Sequence, residues 1–218
     1  MKPYHEICRM RILVIAATKK EIEPFNADNK KAEILITGIG VPATIYNLQK
    51  HLAKNSCDLV IQAGIAGAFN TNNKLGNVVV IKQDIFADIG MEEKENFTSI
   101  FHSDLMNGNE YPYTEGWLVN FNPLLFNSTL TVVNSVTVNK VSDSQLQKDE
   151  LERYFAPQTE SMEGAAFHYV CLQEKVPFLQ LRSISNYVGE RNKNNWKINE
   201  AITNLNEALN KLIKIAEK

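Results

Sequence analysis

The run Glu160-Ser161-Met162-Glu163-Gly164-Ala165-Ala166 sets a carboxylate and an unbranched thioether at the expected mouth of a helix that continues through Phe167, Val170, Cys171 and Leu172. Further along, Arg182-Ser183-Ile184-Ser185-Asn186 closes an expected apolar strand over 177–183 with a polar cluster. A strand delivering Ser185 and Asn186 at its carboxyl end, beside a helix delivering Met162 and Glu163 at its amino end, builds a crevice. In open α/β sheets ligands bind at such crevices. A glutamate there can accept from both hydroxyls of a diol such as ribose, and a methionine can lie on an apolar sugar face. An asparagine can pair with a planar amide or a purine edge. The residue types point to a nucleoside.

Each residue also has a plainer reading. Glu21 stands three residues after Thr18 in capping-box spacing, and Glu163 suits the first turn of any helix. Asn186 suits a turn before Tyr187-Val188-Gly189, and Met162 suits a core. What joins Glu21, Glu163 and Asn186 is their place at or just past strand ends, where one pocket can collect them. Gly38-Ile39-Gly40 and Gly64-Ile65-Ala66-Gly67 read as tight strand-to-helix turns. Neither completes GxGxxG or a P-loop. His5, His51, His102 and His168 lack metal-ligand spacing, and no Ser or Cys sits in a nucleophile elbow. No metal or cofactor is expected.

The elements that position these residues follow from hydrophobic period. Residues 11–17, 32–37 and 58–63 are short apolar runs, the pattern of strands buried on both faces. Residues 76–82 and 130–138 add further strand. Helices are expected from the Thr18 cap to Phe25, over 42–54, over 143–155 with Ser142 or Asp143 as cap, and over 198–215. The last carries an apolar stripe at Ile198, Ile202, Leu205, Leu209, Leu212 and Ile213. Strand, glycine turn and helix in succession predict an α/β domain, a parallel sheet covered by helices. Residues 86–120 are polar, aromatic-rich and without clear period, as functional loops often are.

Composition sets the outer bounds. The chain's 218 residues with net charge −2 suit one domain, residues 11–218, preceded by a short extension over 1–10. That charge leaves no footprint for nucleic acid, and no apolar segment is long enough to span a bilayer. Three widely spaced cysteines fit a reducing cytosol rather than a disulfide framework.

Taken together, these motifs resemble the nucleoside phosphorylase superfamily, on the branch of the methylthioadenosine/S-adenosylhomocysteine nucleosidases. The resemblance implies a single-domain mixed sheet flanked by helices, a homo-oligomer (dimer or larger) and a small-molecule nucleoside substrate. It implies that Glu21 activates water, that Met162 and Glu163 hold the ribose, and that Asn186 contacts the purine with Arg182 and Ser185 supporting it. Ile65, Ala66, Gly67 and Val138 complete the expected substrate-binding set. Asparagine stands at 186 where adenine-specific members carry aspartate, which favours a 6-oxopurine such as hypoxanthine. With no arginine near either glycine turn in sequence, and Lys19 and Lys20 poor substitutes for a bidentate clamp, water is expected in place of phosphate.

The segments Ala87-Asp88-Ile89-Gly90-Met91-Glu92, Tyr111-Pro112-Tyr113, Gly116-Trp117-Leu118, Thr137-Val138-Asn139 and Ser185 to Arg191 with Trp196 are similar to the futalosine hydrolase subfamily. That likeness implies release of hypoxanthine from futalosine in menaquinone biosynthesis, with the aromatics of 86–120 receiving the 5′ group. Asn192 departs from the aspartate expected after Arg191. The competing readings are another purine nucleosidase or phosphorylase acting on inosine, guanosine or methylthioadenosine, and a non-catalytic purine-binding protein on the same fold.

Overall fold

A computed structural model describes residues 10–28, 32–94, 96–103, 105–141, 144–190 and 192–217. The expected extension therefore lies, apart from Met10, outside the described residues. In chain order the first elements are β1 (Ile12–Ala16), α1 (Lys19–Asp28), β2 (Ala32–Ile36), α2 (Val41–Leu52), β3 (Leu59–Ala68) and β4 (Val78–Phe86). Next come β5 (Gly90–Glu93), β6 (Asn96–Ser99), β7 (Leu118–Val119), α3 (Leu124–Asn127) and β8 (Thr131–Thr137). The chain continues through α4 (Gln145–Phe155), β9 (Thr159–Ser161), α5 (Gly164–Gln173), β10 (Phe178–Tyr187) and α6 (Ile198–Ala216).

The apolar run of β1 works on both faces, as alternation requires. Ile12, Val14 and Ala16 pack with Ile22 and Phe25 of α1 and with Leu205, Leu209, Leu212 and Ile213 of α6. Leu13 and Ile15 point the other way, onto Leu48 of α2 and Phe167 and Val170 of α5. Each fully buried leucine of the α6 stripe contributes roughly 1.5–3 kcal/mol of transfer free energy.

Among the described residues, eight strands form one mixed sheet. Strands β2, β1, β3 and β10 run parallel. From β10 the sheet turns through antiparallel β4, then parallel β8 and β9, and returns antiparallel to β3. Five strands thus close a ring, from which β1 and β2 extend. The ring brings β9 and the Met162-Glu163 pair that follows it back against the end of β3, where Glu160 stands opposite Gly67.

Several local expectations change. Gly64 to Gly67 is not a turn: it lies inside β3. Glycine is required at 64 because a Cβ would come within 2.1 Å of the Arg182 guanidinium across the Arg182–Gly64 pair. Gly38 and Gly40 do form a turn, with φ of 88° and 86°. Strand β10 runs on to Tyr187, so Asn186 lies within it. Residues 86–120 contain a hairpin, Glu92 pairing with Phe97, and the short strand β7. The cap of α4 is Ser144, whose Oγ accepts from the Gln147 N–H at 3.1 Å. The expected caps Ser142 and Asp143 lie outside the described residues.

Gly164, first residue of α5, is the tightest of these close approaches. A Cβ there would lie 2.0 Å from Asp84 Oδ2 and 2.3 Å from Gln180 Nε2, both fully buried. Gly164→Ala is therefore expected to destabilise the fold by about 1–3 kcal/mol, read as a lower urea midpoint with an unchanged slope.

Candidate active site

The ends of β1, β3, β9 and β10 and the start of α6 surround a cavity of about 350 Å³. Of the residues expected at the site, Glu21, Ile65, Ala66, Gly67, Met162, Glu163, Ser185 and Asn186 line it. Val138 does not: its side chain is fully buried among Phe69, Ile85 and Leu151. Arg182 lies beneath the wall and is 1% exposed.

Glu21 serves both of its readings. Its Oε2 accepts from the Thr18 N–H and hydroxyl, each at 2.9 Å, which is half of a capping box. Its Oε1 accepts from Ile65 N–H at 3.3 Å. Helix α1 is pinned from behind by buried Asn206 of α6, whose Nδ2 donates to Glu21 O at 2.9 Å and whose Oδ1 accepts from Phe25 N–H at 3.0 Å. Asn206 was not singled out from the sequence; it stands beside Leu205 of the apolar stripe, and period alone does not reveal this clamp.

Glu163 faces Glu21 across the cavity. Its Oε1 accepts from the Gly40 N–H at 3.0 Å, at the amino end of α2, where the helix dipole favours an anion. The GIG turn thus holds a carboxylate of the protein itself. Burial pushes the Glu163 carboxyl above its ordinary range; Arg182 and the Gly40 N–H pull it back, and Glu21 adds to the rise.

The Arg182 guanidinium lies 3.9 Å from Glu163 Oε2, donates to Gln62 Oε1 at 2.9 Å, and shares with Glu21 Oε1 the space that a Cβ on Gly64 would take. Two expectations are corrected here. An arginine does approach the 64–67 segment, through strand pairing rather than sequence proximity. It is also turned toward Gln62 and Glu163, away from the support of Asn186.

Ser185 holds Asn186 instead. Its hydroxyl donates to Asn186 Oδ1 at 2.8 Å, while Asn186 Nδ2 donates to Tyr187 O at 3.1 Å. A backbone carbonyl can only accept, so the amide orientation is fixed. The register slips between Ile184 and Asn186, and this bulge aims Ser185 and Asn186 at the cavity.

The apolar wall comes from Ile39, Val141, Trp196, Ile198 and Ile202. None of the 86–120 aromatics line the cavity; Phe101 packs on Tyr113, Trp117 on Phe155 and Phe86 on Tyr169. Trp196 was not expected at the site. Its indole N–H donates to Glu190 O at 2.9 Å, and Asn192 caps the following turn through Asn194 N–H at 3.2 Å. Arg191 lies outside the described residues. A larger cleft of about 540 Å³ opens at the amino ends of β3 and β10. Its carboxylate Asp58 is taken by Arg11 at 2.7 Å, and among the described residues no facing pair of carboxylates lines it.

A profile of the phosphorylase superfamily matches residues 25–218. The futalosine hydrolase of Thermus thermophilus is 30% identical over 182 residues, covering 82% of this chain and 80% of the relative. That of Streptomyces coelicolor is 31% identical over 163 residues, covering 73% and 67%. Among solved structures, the 5′-methylthioadenosine/S-adenosylhomocysteine nucleosidase of Helicobacter pylori shares the fold with a TM-score of 0.81 at 18% identity, covering 95% of this chain and 99% of that one. The futalosine hydrolase of Helicobacter pylori does so with a TM-score of 0.81 at 18% identity, covering 95% and 98%. Fold and relatives define a hydrolase of N-glycosyl bonds. The chain belongs to the phosphorylase superfamily and, within it, to the futalosine hydrolase family.

Behind α5 lies another carboxylate, Asp84, fully buried. Burial pushes it up from 3.8 to about 6, against hydrogen bonds from Thr137 and Gln180 and the charge of Arg182. Because the folded value is raised, its contribution to stability is complete below about pH 4 and is lost as pH rises through about 6. Measured against Asp84→Asn, wild-type melting temperature should fall between those values and then level. A difference that stays flat across the range would refute the assignment.

Proposed function

We propose that this enzyme hydrolyses the N-ribosidic bond of futalosine, releases hypoxanthine, and uses water activated by Glu21. The step belongs to menaquinone biosynthesis in this reading. The observation that carries the proposal is the pair of buried carboxylates, Glu21 and Glu163, lining one cavity that the oriented amide of Asn186 also lines.

As the bond from ribose C1′ to the purine nitrogen breaks, positive charge develops on the sugar. Glu163 accepts from the 2′- and 3′-hydroxyls, and Met162 packs on the sugar face. These hydrogen bonds strengthen as the ribose becomes cationic. Glu21 orients the water and takes its proton while the oxygen bonds to C1′. Asn186 Nδ2 donates to O6, and its Oδ1 accepts from N7–H once solvent has protonated the departing base. Adenine presents its amine to the same NH2 group, so donor meets donor.

Water is favoured over phosphate by electrostatics. A phosphate dianion would approach two carboxylates, and the guanidinium of Arg182 beneath the wall is 1% exposed and engaged with Gln62 and Glu163. Trp196 and the start of α6 offer apolar surface to the substrate in place of the 86–120 aromatics. A homo-oligomer in the cytosol completes this reading, supported by exposed Ile39 beside the cavity and exposed Tyr46 on α2. Sedimentation velocity reads the copy number.

Chromatography of a futalosine reaction should reveal free hypoxanthine at a rate indifferent to added phosphate. Glu21→Gln is expected to lower kcat by about 10²–10⁴-fold with the melting temperature preserved; near-normal turnover would remove Glu21 from the mechanism. Asn186→Asp should slow hypoxanthine release and gain slow cleavage of adenine nucleosides. If kcat/KM for wild type ranks methylthioadenosine above futalosine and inosine, the base assignment fails.

A further inference from the structure

Glu163 occupies the N-cap position of α5, yet its side chain makes no capping bond there. Its Oε1 is taken by the Gly40 N–H. A cap residue that turns away leaves the first amide N–H groups of the helix without their usual acceptor. Here the acceptors come from elsewhere. Gly164 N–H donates to Ser161 Oγ at 3.3 Å, and Ala165 N–H donates to Thr137 Oγ1 of β8 at 2.7 Å.

Thr137 has one hydroxyl proton, and it goes to Asp84 Oδ1 at 2.9 Å. Asp84 Oδ1 also accepts from Ile85 N–H at 2.9 Å, and Oδ2 accepts from Gln180 Nε2 at 3.2 Å. The oxygen facing Thr137 accepts and does not donate. It therefore fixes the direction of the Thr137 hydroxyl and leaves the lone pairs of that hydroxyl aimed at α5. The absence of a side chain at Gly164 lets Asp84 and Gln180 press directly against the start of the helix.

We infer that Asp84, acting through Thr137, is a positioning residue that caps α5 in place of Glu163 and so frees the Glu163 carboxylate for the cavity. This rests on the reading of Glu163 as the group that holds the ribose hydroxyls. Among the described residues, the other charged or titratable groups acting on this layer are Arg182 on β10 and His168 on α5. Burial lowers His168 to about 4, so it stays neutral here with its Nδ1 bonded to Leu118 O at 2.8 Å.

The test measures kcat and KM of the full chain on futalosine and on its 2′-deoxy analogue, with melting temperatures alongside. Asp84→Ala removes the acceptor, and Thr137→Val removes the hydroxyl at constant shape. Both should lower kcat on futalosine by about 10–100-fold, with a much smaller loss on the 2′-deoxy analogue, which lacks the hydroxyl that Glu163 grips. Asp84→Asn and Thr137→Ser keep the bonds to α5. Gln180 Oε1 has no partner among the described residues, so a flip of that amide accommodates the new NH2. These two variants should retain most of the wild-type kcat.

Equal losses on both substrates, no loss in either disruptive variant, or failure of both disruptive variants to fold would each overturn the proposal. A wild-type enzyme that cleaves the 2′-deoxy analogue as fast as futalosine would instead refute the role of Glu163. A wild-type preference for the riboside that survives in Asp84→Ala and Thr137→Val refutes the positioning role alone.

Discussion

The interaction on which the rest of the structure depends is the buried charge cluster around Arg182. A guanidinium that is 1% exposed needs anions and acceptors within reach, and it finds Gln62, Glu163 and, across Gly64, Glu21. Removing one partner from a buried cluster of this kind costs about 3–5 kcal/mol, because the remaining charge is left uncompensated. The cluster therefore constrains three segments at once. It fixes the pairing of β10 with β3, the side-chain-free position at Gly64, and the place of Glu163, the N-cap of α5, against the cavity.

The same groups that secure helix ends also line the cavity. Glu21 completes half of a capping box for α1 and still presents its carboxylate to the cavity. Glu163 bonds to the start of α2 instead of capping its own helix. Where a carboxylate is drawn into the site, another acceptor replaces it: Ser161 and Thr137 at α5. Asn206 reaches from α6 to secure α1 from behind. Glu21, Glu163, Asn186 and Trp196 are thus each held at the cavity by a hydrogen bond to another segment or to a neighbouring backbone group.

The orientation of the Asn186 amide rests on a smaller set of constraints. Tyr187 O fixes which end of the Asn186 amide donates, and Ser185 secures the other end. Part of the cavity's apolar wall comes from the approach to α6, where Trp196 is anchored through Glu190 O and Lys197 N–H bonds to Ser185 O at 2.8 Å. The aromatics of 86–120 are occupied with one another and with α4 and α5.

What the sequence determined by itself was whatever depends on neighbours along the chain. The apolar runs of β1 and β3, the stripe of α6 and the capping-box spacing at Glu21 are local patterns, and each appears where the period put it. The motif at 160–166 likewise announced Met162 and Glu163, because strand end and helix start adjoin in the chain. Tertiary structure decided the rest. The glycines at 64 and 67 read as a turn because glycine permits one. Only the closure of the strand ring shows that they make room for Arg182 and for Val188 and Asn186. Trp196 entered the cavity, and Val138 and the 86–120 aromatics stayed out of it, for the same reason. Which side chains meet across a closed sheet is fixed by long-range register and by one bulge in β10, and hydrophobic period encodes neither.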